Sequence, residues 1–473
     1  MFIGRRLIHD NDLGPAVADT RSMLDIPSLR ALGLFDARVP RYTSYPPATA
    51  FAPFADESFQ RDCLAALDPA RPVSVYVHVP FCERLCWFCA CQTQGTTTLN
   101  PVLAYLDTVE AELALLCEAL PAGIRMARMH WGGGTPTILP PALIRRLAGA
   151  IGDVIPPTPD CEFSVEIDPT MVDEAKIAAL AEIGLSRASL GIQDFDPQVQ
   201  RAIGRLQSFE QTRDCVRALR RHGVASLNAD LVYGLPHQTP ERFAATVGQV
   251  LELAPDRVAL FGYAHVPHHS RRQKLIPGDA LPSGEERHAL ACLATSRFEA
   301  AGLDAIGIDH FALADDALAV AARTGRLRRN FQGYTDDTCP ELIGIGASSI
   351  SGFPGGIVQN AAMTPAYAER IAAGRLAGAR GHRHMPEDRL RARAIEMLMC
   401  DFRLDMRELE RDFGPRTATL EAGIDAALAR FGPAVTRELG GLSIRPEGRT
   451  LTRLIAALFD ARVVAGARYS QAS

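Results

Sequence analysis

Six short, almost uninterrupted apolar runs recur through the middle of the chain, at Val73 to Val79, Ala127 to Trp131, Glu162 to Ile167, Arg187 to Ile192, Ser226 to Val232 and Arg257 to Phe261. No other feature restricts the fold as strongly. Runs this short with little polar alternation are strands covered on both faces, the pattern of a parallel sheet. Between them lie stretches of helical period, at Val102 to Leu120, Pro141 to Val154, Asp173 to Ile183, Phe209 to Arg221 and Pro240 to Leu253. Such alternation calls for successive right-handed βαβ units. Two α/β architectures satisfy it, an open doubly wound sheet and a barrel, complete or not. Both place function at the C-terminal ends of the strands.

Chemically distinctive residues fall at those ends. Cys82 follows the first run, Gly132-Gly133-Gly134-Thr135 the second, and Glu166 closes the third; Gln193 follows the fourth, Asp230 lies inside the fifth and Ala264 follows the sixth. A glycine run after a strand permits positive φ and a close approach of backbone to a ligand, although such a turn can equally be structural. Glu166 and Asp230 could hold an amine or ribose hydroxyls, or act as plain helix caps.

The chain has eleven cysteines. Seven of them (Cys63, Cys117, Cys161, Cys215, Cys292, Cys339 and Cys400) are scattered singly and are expected to be reduced and buried as small hydrophobes. The other four, Cys82, Cys86, Cys89 and Cys91, crowd into one short stretch. A structural zinc site wants four ligands, usually two pairs separated by about a dozen residues or more. Here Cys82, Cys86 and Cys89 stand in a CxxxCxxC spacing on one tight loop. That trio suits an iron–sulfur cube with three irons bound by thiolate and the fourth open to another ligand, unlike electron-transfer clusters capped by four cysteines. An open iron implies chemistry at the metal.

The 473 residues are 47% apolar and 22% charged, globular proportions that exclude a disordered or collagenous chain. At roughly 100 to 200 residues per domain they make two or three domains. Residues 1–70 are Pro-rich, include Arg41-Tyr42-Thr43-Ser44-Tyr45-Pro46, and are expected to be extended and packed on the body. Residues 71–365 hold the strand–helix repeats. Residues 366–473 read as mainly helical, with helices at Arg389 to Asp412, Arg416 to Phe431 and Leu451 to Val463 and a short strand at Leu442 to Arg445. Helices with a small wing could read DNA, but the charges there are mixed and the whole chain carries a net charge of −5, so a lid over the barrel mouth is expected and no nucleic-acid partner. The longest charge-free apolar stretch, Leu342 to Val358, contains five Gly, three Ser and Pro354 and reads as a glycine-rich loop region, not a membrane span. The first ten residues carry Arg5, Arg6 and Asp10 with no apolar stretch behind them, so a cytoplasmic protein without membrane contact is expected.

CxxxCxxC directly after a first strand resembles the signature of radical S-adenosylmethionine enzymes. The resemblance implies an incomplete, three-quarter parallel β/α barrel and a 4Fe–4S cluster on Cys82, Cys86 and Cys89. Its open iron would be chelated by the methionine amine and carboxylate, and one electron would cleave the sulfonium to methionine and a 5′-deoxyadenosyl radical. The remaining motifs narrow it: Tyr76-Val77-His78-Val79-Pro80-Phe81-Cys82, Trp87-Phe88-Cys89-Ala90-Cys91, His130-Trp131-Gly132-Gly133-Gly134-Thr135-Pro136-Thr137, Glu166-Ile167-Asp168-Pro169, Gly191-Ile192-Gln193-Asp194-Phe195, Asn228-Ala229-Asp230-Leu231 and Asn330-Phe331-Gln332-Gly333-Tyr334-Thr335. Together they resemble the oxygen-independent coproporphyrinogen III oxidase (dehydrogenase) family, from about Arg41 into the C-terminal helices. Cys91 separates the chain from the related haem chaperones, which typically carry Phe there.

Carried over by that resemblance, Cys82, Cys86, Cys89, Tyr76 and Glu166 are the catalytic positions. A first S-adenosylmethionine would be held by Tyr76, Gly133, Glu166 and Ile350, and a second by Phe88, Gly134, Thr135, Gln193, Arg205, Asp230 and Ala264. Trp87 stands where the family commonly has Tyr, and Gln92-Thr93 where it often has Asn-Lys, changes expected to tune the cluster surroundings. The implied reaction is oxidative decarboxylation of the ring A and B propionates of coproporphyrinogen III to the vinyls of protoporphyrinogen IX. A reductant protein and an unidentified electron acceptor would serve it, on a monomer. Two other readings share the scaffold, a haem chaperone and a radical methyltransferase acting on another tetrapyrrole. Substrate carboxylates call for cations, and Arg38, Arg41, Arg326, Arg328, Arg329, His265, His268 and His269 are candidates, against a plain solvated charge run at 326–329.

Overall fold

Each of the six apolar runs forms a strand in the computed structural model, which describes residues 24–438, 440–462, 469 and 471–472. They are β1 Val73–Val79, β2 Met126–Gly133, β3 Pro157–Ile167, β4 Leu185–Gln193, β5 Ser226–Tyr233 and β6 Arg257–Gly262. Neighbours pair in parallel in that order. Every residue of β1 is buried, as a strand covered on both faces must be. The crossovers carry α1 Asn100–Ala119, α2 Pro141–Val154, α3 Glu174–Glu182, α4 Phe209–Arg221 and α5 Pro240–Glu252. Their starts are written locally. Asp173, Ser208 and Thr239 accept backbone N–H bonds from Lys176, Gln211 and Arg242, caps that each contribute about 1 kcal/mol. The helices turn Ile144, Leu147 and Ile151 of α2 and Phe243, Val247 and Val250 of α5 into a common core with Trp131, Val165 and Leu231.

The sheet continues beyond the six. After α6 Gly284–Ala300, the hairpin of β7 Leu303–Ile306 and β8 His310–Leu313 joins antiparallel to β6. On the other flank, β9 Leu342–Ile345 pairs in parallel with β1, and β10 Ile350–Phe353, β11 Gly356–Asn360 and β12 Gly378–Arg383 follow antiparallel. The outer strands, Ala52–Pro53 and β7, do not pair with each other, so the thirteen-stranded sheet is a partial barrel. The glycine-rich stretch Leu342 to Val358, expected to be loop, therefore holds two strands and the start of a third. Its glycines answer to tertiary crowding: a Cβ on Gly344 would lie 2.8 Å from the Ile350 carbonyl oxygen, and Gly346, at φ +92°, sits against the Tyr105 hydroxyl and the His78 carbonyl.

The C-terminal region differs from its expected helices in detail. The run from Arg389 to Asp412 is two helices, α7 Pro386–Asp401 and α8 Met406–Phe413, because Phe402 turns left-handed at φ +56°. Arg416 to Phe431 begins as a 3-10 turn, and only Glu421–Phe431 is α-helix. Leu451 to Val463 contains one α-turn, Thr452–Ala456, between 3-10 turns, and Val463 lies outside the described residues. Leu442–Ile444 sits between Arg403–Leu404 and Val435–Thr436 in a small antiparallel sheet.

These elements share a second core of Leu398, Leu409, Ile424, Phe431, Leu454 and Phe459, into which Leu29, Leu34, Phe35, Tyr42 and Tyr45 also insert. The Pro-rich N-terminal stretch is thus not extended throughout. A helix at Ile26–Ala31 contributes to the C-terminal core, while a helix at Ser58–Ala65 sends Phe59 and Leu64 into the barrel core. The part of that stretch before Leu24 lies outside the described residues. All eleven cysteines are free. Of the seven scattered ones only Cys215 and Cys400 are buried; Cys117 is exposed, on the side of α1 away from its buried stripe. Among the described residues no helix is long and apolar enough to cross a membrane.

Candidate active site at the strand ends

The cysteine loop leaves β1 and is closed at its base. Phe81–Cys82 pairs in parallel with Gln94–Gly95, and the Thr96 N–H donates to the Cys82 carbonyl at 3.0 Å. The glycine turn after β2 is zipped onto the same segment: Gly134 N–H donates to Val79 O and Thr135 N–H to Phe81 O, both at 2.8 Å. A Cβ on Gly134 would fall 2.6 Å from the Phe81 carbonyl oxygen, so the contact requires glycine.

Each sulfur of the trio accepts one hydrogen bond from a different part of the fold. Thr135 Oγ1 donates to Cys82 Sγ at 3.5 Å, Arg205 Nη1 to Cys86 Sγ at 3.6 Å, and the Cys91 N–H to Cys89 Sγ at 3.4 Å. Donors aimed at sulfur favour the thiolate form that binds metal and help to set a cluster's potential. A cube takes each thiolate on a separate iron, so three thiols with their own donors on one loop fit a 4Fe–4S cluster, whereas a structural zinc ion takes four ligands. Cys91 is exposed and supplies its backbone to the loop.

A second group surrounds Glu166. Its carboxylate accepts the Gly133 N–H at 3.0 Å and lies 3.5 Å from His130 Nε2. Burial pushes this carboxyl up, but the His130 and Gly133 bonds outweigh it and hold the group below the ordinary carboxylate value. A standing anion at the end of β3 suits an ammonium or a hydroxyl pair. Gly133, at φ +101°, allows the approach, since a Cβ there would lie 2.4 Å from the His78 ring. Tyr76 stacks on His130 with ring centroids 5.8 Å apart, and its hydroxyl meets His78 Nδ1 at 3.1 Å. Phe331, at the tip of the hairpin formed by Arg328–Asn330 and Gly333–Thr335, packs edge-on against Tyr76 at 5.4 Å.

The third group runs across β4 to β6. Arg205 is anchored by Asp168 at 3.1 Å and by the Gly191 carbonyl at 2.8 Å. Gln193 ends β4 in a left-handed conformation, φ +70°, beside Gly191 and Arg205. Asp230 accepts from Ser189 Oγ at 2.9 Å and from Asn228 Nδ2 at 2.7 Å, and burial pushes its carboxyl up to about 6. Phe88 and Ala264 are joined by one side chain, Gln273, whose amide donates to both carbonyls at 2.7 and 3.1 Å. The strand-end residues named from the sequence therefore meet at one mouth. Ile350, half-buried at the start of β10, sets its carbonyl against Gly344, the β9 residue paired with Tyr76.

Several contacts were invisible in the sequence. Ser270, Arg272 and Gln273, on and just before a 3-10 turn at Arg271–Leu275, clamp the cysteine loop through the carbonyls of Cys89, Cys91 and Phe88. Nothing in their local pattern announces this; only the fold brings the segment after β6 across the loop. His78 and His130 lie inside the quoted motifs, and only the fold shows that they bond Tyr76 and approach Glu166. Trp87 packs on Gly204, where any Cβ would strike the indole, and with Phe88 rests against the apolar patch of Val199, Ile203 and Val232. Of the candidate cations, Arg38, Arg326, His265, His268 and His269 are exposed, and Arg328 is only half-buried and bonds to neighbouring carbonyls. Arg41 and Arg329 turn inward.

A partial parallel barrel with this thiol trio on its first strand-end loop defines a radical S-adenosylmethionine enzyme, and residues 76–250 match the radical SAM superfamily. An oxygen-independent coproporphyrinogen III oxidase of Cereibacter sphaeroides is 61% identical over 452 residues, covering 95% of this chain and all of the relative. One from Paracoccus denitrificans is 53% identical, covering 94% of this chain and 98% of the relative. The solved structure of the Escherichia coli coproporphyrinogen III oxidase, described as a radical SAM enzyme, superposes with a TM-score of 0.85 at 36% identity, covering 90% of this chain and 100% of that one. The chain belongs to the oxygen-independent coproporphyrinogen III oxidase family. Membership implies a 4Fe–4S cluster and S-adenosylmethionine.

Proposed function

We propose that this enzyme converts the ring A and B propionates of coproporphyrinogen III to the vinyls of protoporphyrinogen IX without oxygen, within porphyrin and haem biosynthesis. The observation that carries this is the trio of Cys82, Cys86 and Cys89 sulfurs, each with its own donor, beside the Tyr76–Glu166–Gly133 group at one barrel mouth. Each propionate loses carbon dioxide, one hydrogen atom and one electron. The hydrogen on the β carbon is too weakly acidic for any side-chain base here, including Asp230 at about 6. A reduced 4Fe–4S cluster with S-adenosylmethionine, when bound, supplies the radical chemistry that abstracts it.

The protein's own part is to hold and exclude. Cys82, Cys86 and Cys89 would bind the cluster. Glu166 as a standing anion, with Tyr76, Gly133 and Ile350, would hold one S-adenosylmethionine; Phe88, Gly134, Thr135, Gln193, Arg205, Asp230 and Ala264 would hold a second. Arg205, already touching Cys86 Sγ and Asp168, ties that second site to the cluster loop. The 71–365 barrel would carry both sites, with residues 1–70 packed around it and 366–473 as a lid that keeps water from the mouth. A reductant protein for the cluster, a separate electron acceptor, a monomeric state and a cytoplasmic address complete the reading.

Anaerobic incubation of the reconstituted protein with reductant, S-adenosylmethionine and coproporphyrinogen III tests it. Protoporphyrin fluorescence after oxidation is the expected result. Tight haem binding without that product selects the chaperone reading, and a methylated tetrapyrrole selects the methyltransferase.

A further inference from the structure

Three arginines from distant parts of the chain converge beside the mouth. Arg41 comes from the Pro-rich segment, Arg329 from the hairpin whose tip touches Tyr76, and Arg453 from the C-terminal region; all three lie within electrostatic reach of Asp309 and of one another. Asp309 accepts from His310 Nδ1 at 2.7 Å. Glu396 approaches only the Arg329 backbone N–H and is itself paired with Arg393 at 2.7 Å. Among the described residues, Arg41 and Arg329 thus share the Asp309 carboxylate.

The three are not equivalent. Arg453 is occupied, donating to the carbonyls of Val39, Pro40 and Gln471. Arg41 donates one Nη to the Gly262 carbonyl at 2.5 Å. Arg329 is the anomaly. Its side chain is 4% exposed, Nη1 lies 3.8 Å from Asp309 Oδ1, too far for a hydrogen bond, and among the described residues Nε and Nη1 have no hydrogen-bond partner. Its guanidinium is fixed in place 4.3 Å from the centroid of the Tyr334 ring, and Tyr334 is pinned by its hydroxyl to the Met399 carbonyl at 2.7 Å. A buried guanidinium with idle donors is costly, and the cost is recovered when a carboxylate arrives, because the planar fork of donors matches a carboxylate bidentately.

The neighbourhood selects the ligand. Arg329 is two residues from Phe331, which packs on Tyr76, and Arg41 grips Gly262, two residues before Ala264. Resting on the functional reading above, we propose that Arg329, with Arg41 beside it, is the seat for a propionate carboxylate of the tetrapyrrole, and for one that survives the reaction. A bidentate lock on the carboxylate that leaves as carbon dioxide would stabilise the starting state and oppose its loss. On a retained propionate the same lock only positions the ring.

Equilibrium fluorescence titration of the reconstituted holoenzyme with three stable porphyrins tests the seat. Coproporphyrin III and protoporphyrin IX both carry the retained carboxylates, and coproporphyrin III tetramethyl ester has none. Arg329→Gln weakens both free acids tenfold or more and leaves the ester at its wild-type affinity, and Arg329→Lys recovers part of the loss. Arg41→Gln gives the same pattern at smaller size, and iron content after reconstitution reports that each variant has folded. Equal losses for the ester and the acids, or no loss for either acid, overturn the seat. Loss for coproporphyrin alone overturns its assignment to a retained carboxylate. A wild-type protein that binds none of the three overturns the substrate reading and the seat with it, whereas tight wild-type binding indifferent to Arg329 overturns the seat only.

Discussion

Replacing Arg205 by Met separates a buried charge from its partner and strips the donor from the Cys86 sulfur in one step. Arg205 and Asp168 are 9% and 8% exposed and 3.1 Å apart. Removing one member of such a pair costs about 3–5 kcal/mol, since the other is left charged in a poor solvent. Asp168 keeps bonds from the Thr170 N–H at 2.9 Å and Oγ1 at 2.7 Å, with Arg84 at 3.7 Å, so the lower end, about 3 kcal/mol, is expected. That is roughly a 150-fold change in the unfolding equilibrium. Urea denaturation of wild type, Arg205→Met, Asp168→Asn and the double variant measures it as a cycle. Because a neutral pair replaces the ion pair at little cost, the double variant is expected to recover at least about 1.5 kcal/mol of the single loss. With Cys86 Sγ deprived of its donor, the reconstituted cluster of the single variant is expected to be harder to reduce. A single loss below about 1 kcal/mol, or additive effects around the cycle, would refute the reasoning.

Other expectations rest on separate contacts. In Gly134→Ala the new methyl group meets Phe81 O, Val79 O and Phe81 N between 2.6 and 2.9 Å, backbone atoms that cannot rotate away, so about 1–3 kcal/mol is lost and iron uptake on anaerobic reconstitution falls; undiminished iron counts against the zipped turn. Gln273→Ala leaves the Phe88 and Ala264 carbonyls without their shared donor, and hydrogen exchange through 86–91 is expected to accelerate, while unchanged protection there dismisses the clamp. Burial pushes the Glu112 carboxyl from an ordinary 4.5 up to about 7, even though Tyr367, Gly346 and Asn360 all donate to it. The folded chain then keeps a proton that the unfolded chain has released, so stability falls as pH rises from about 4.5 to 7, by at most about 3 kcal/mol. Urea midpoints of wild type and Glu112→Gln across that range check it: the variant should lose this slope, and a wild-type slope rising through Glu112 would be the wrong sign.

Periodicity and strand-end chemistry were readable directly, and for one reason: both are local. β1, α2 and α4 fall where their apolar spacing, proline and capping residues put them, because a strand buried on both faces and a helix with one apolar stripe need no distant information. The thiol spacing is local too, since three cysteines on one loop restrict the metal whatever surrounds them. Elsewhere the deciding contact lies far along the chain. The glycines of 342–358 look like loop until Gly344 and Gly346 are seen yielding space to Ile350, Tyr105 and His78, which lets β9 close against β1. The helix break at Phe402 and the clamp by Ser270, Arg272 and Gln273 come from packing partners more than a hundred residues away or from a strained backbone that no propensity encodes. The arginines make the point most sharply. Arg326, Arg328 and Arg329 read as one charged run, but Arg326 lies in the exposed connection before the hairpin, whereas pairing inside the hairpin sets Arg329 opposite Tyr334, where burial gives a common side chain a particular task.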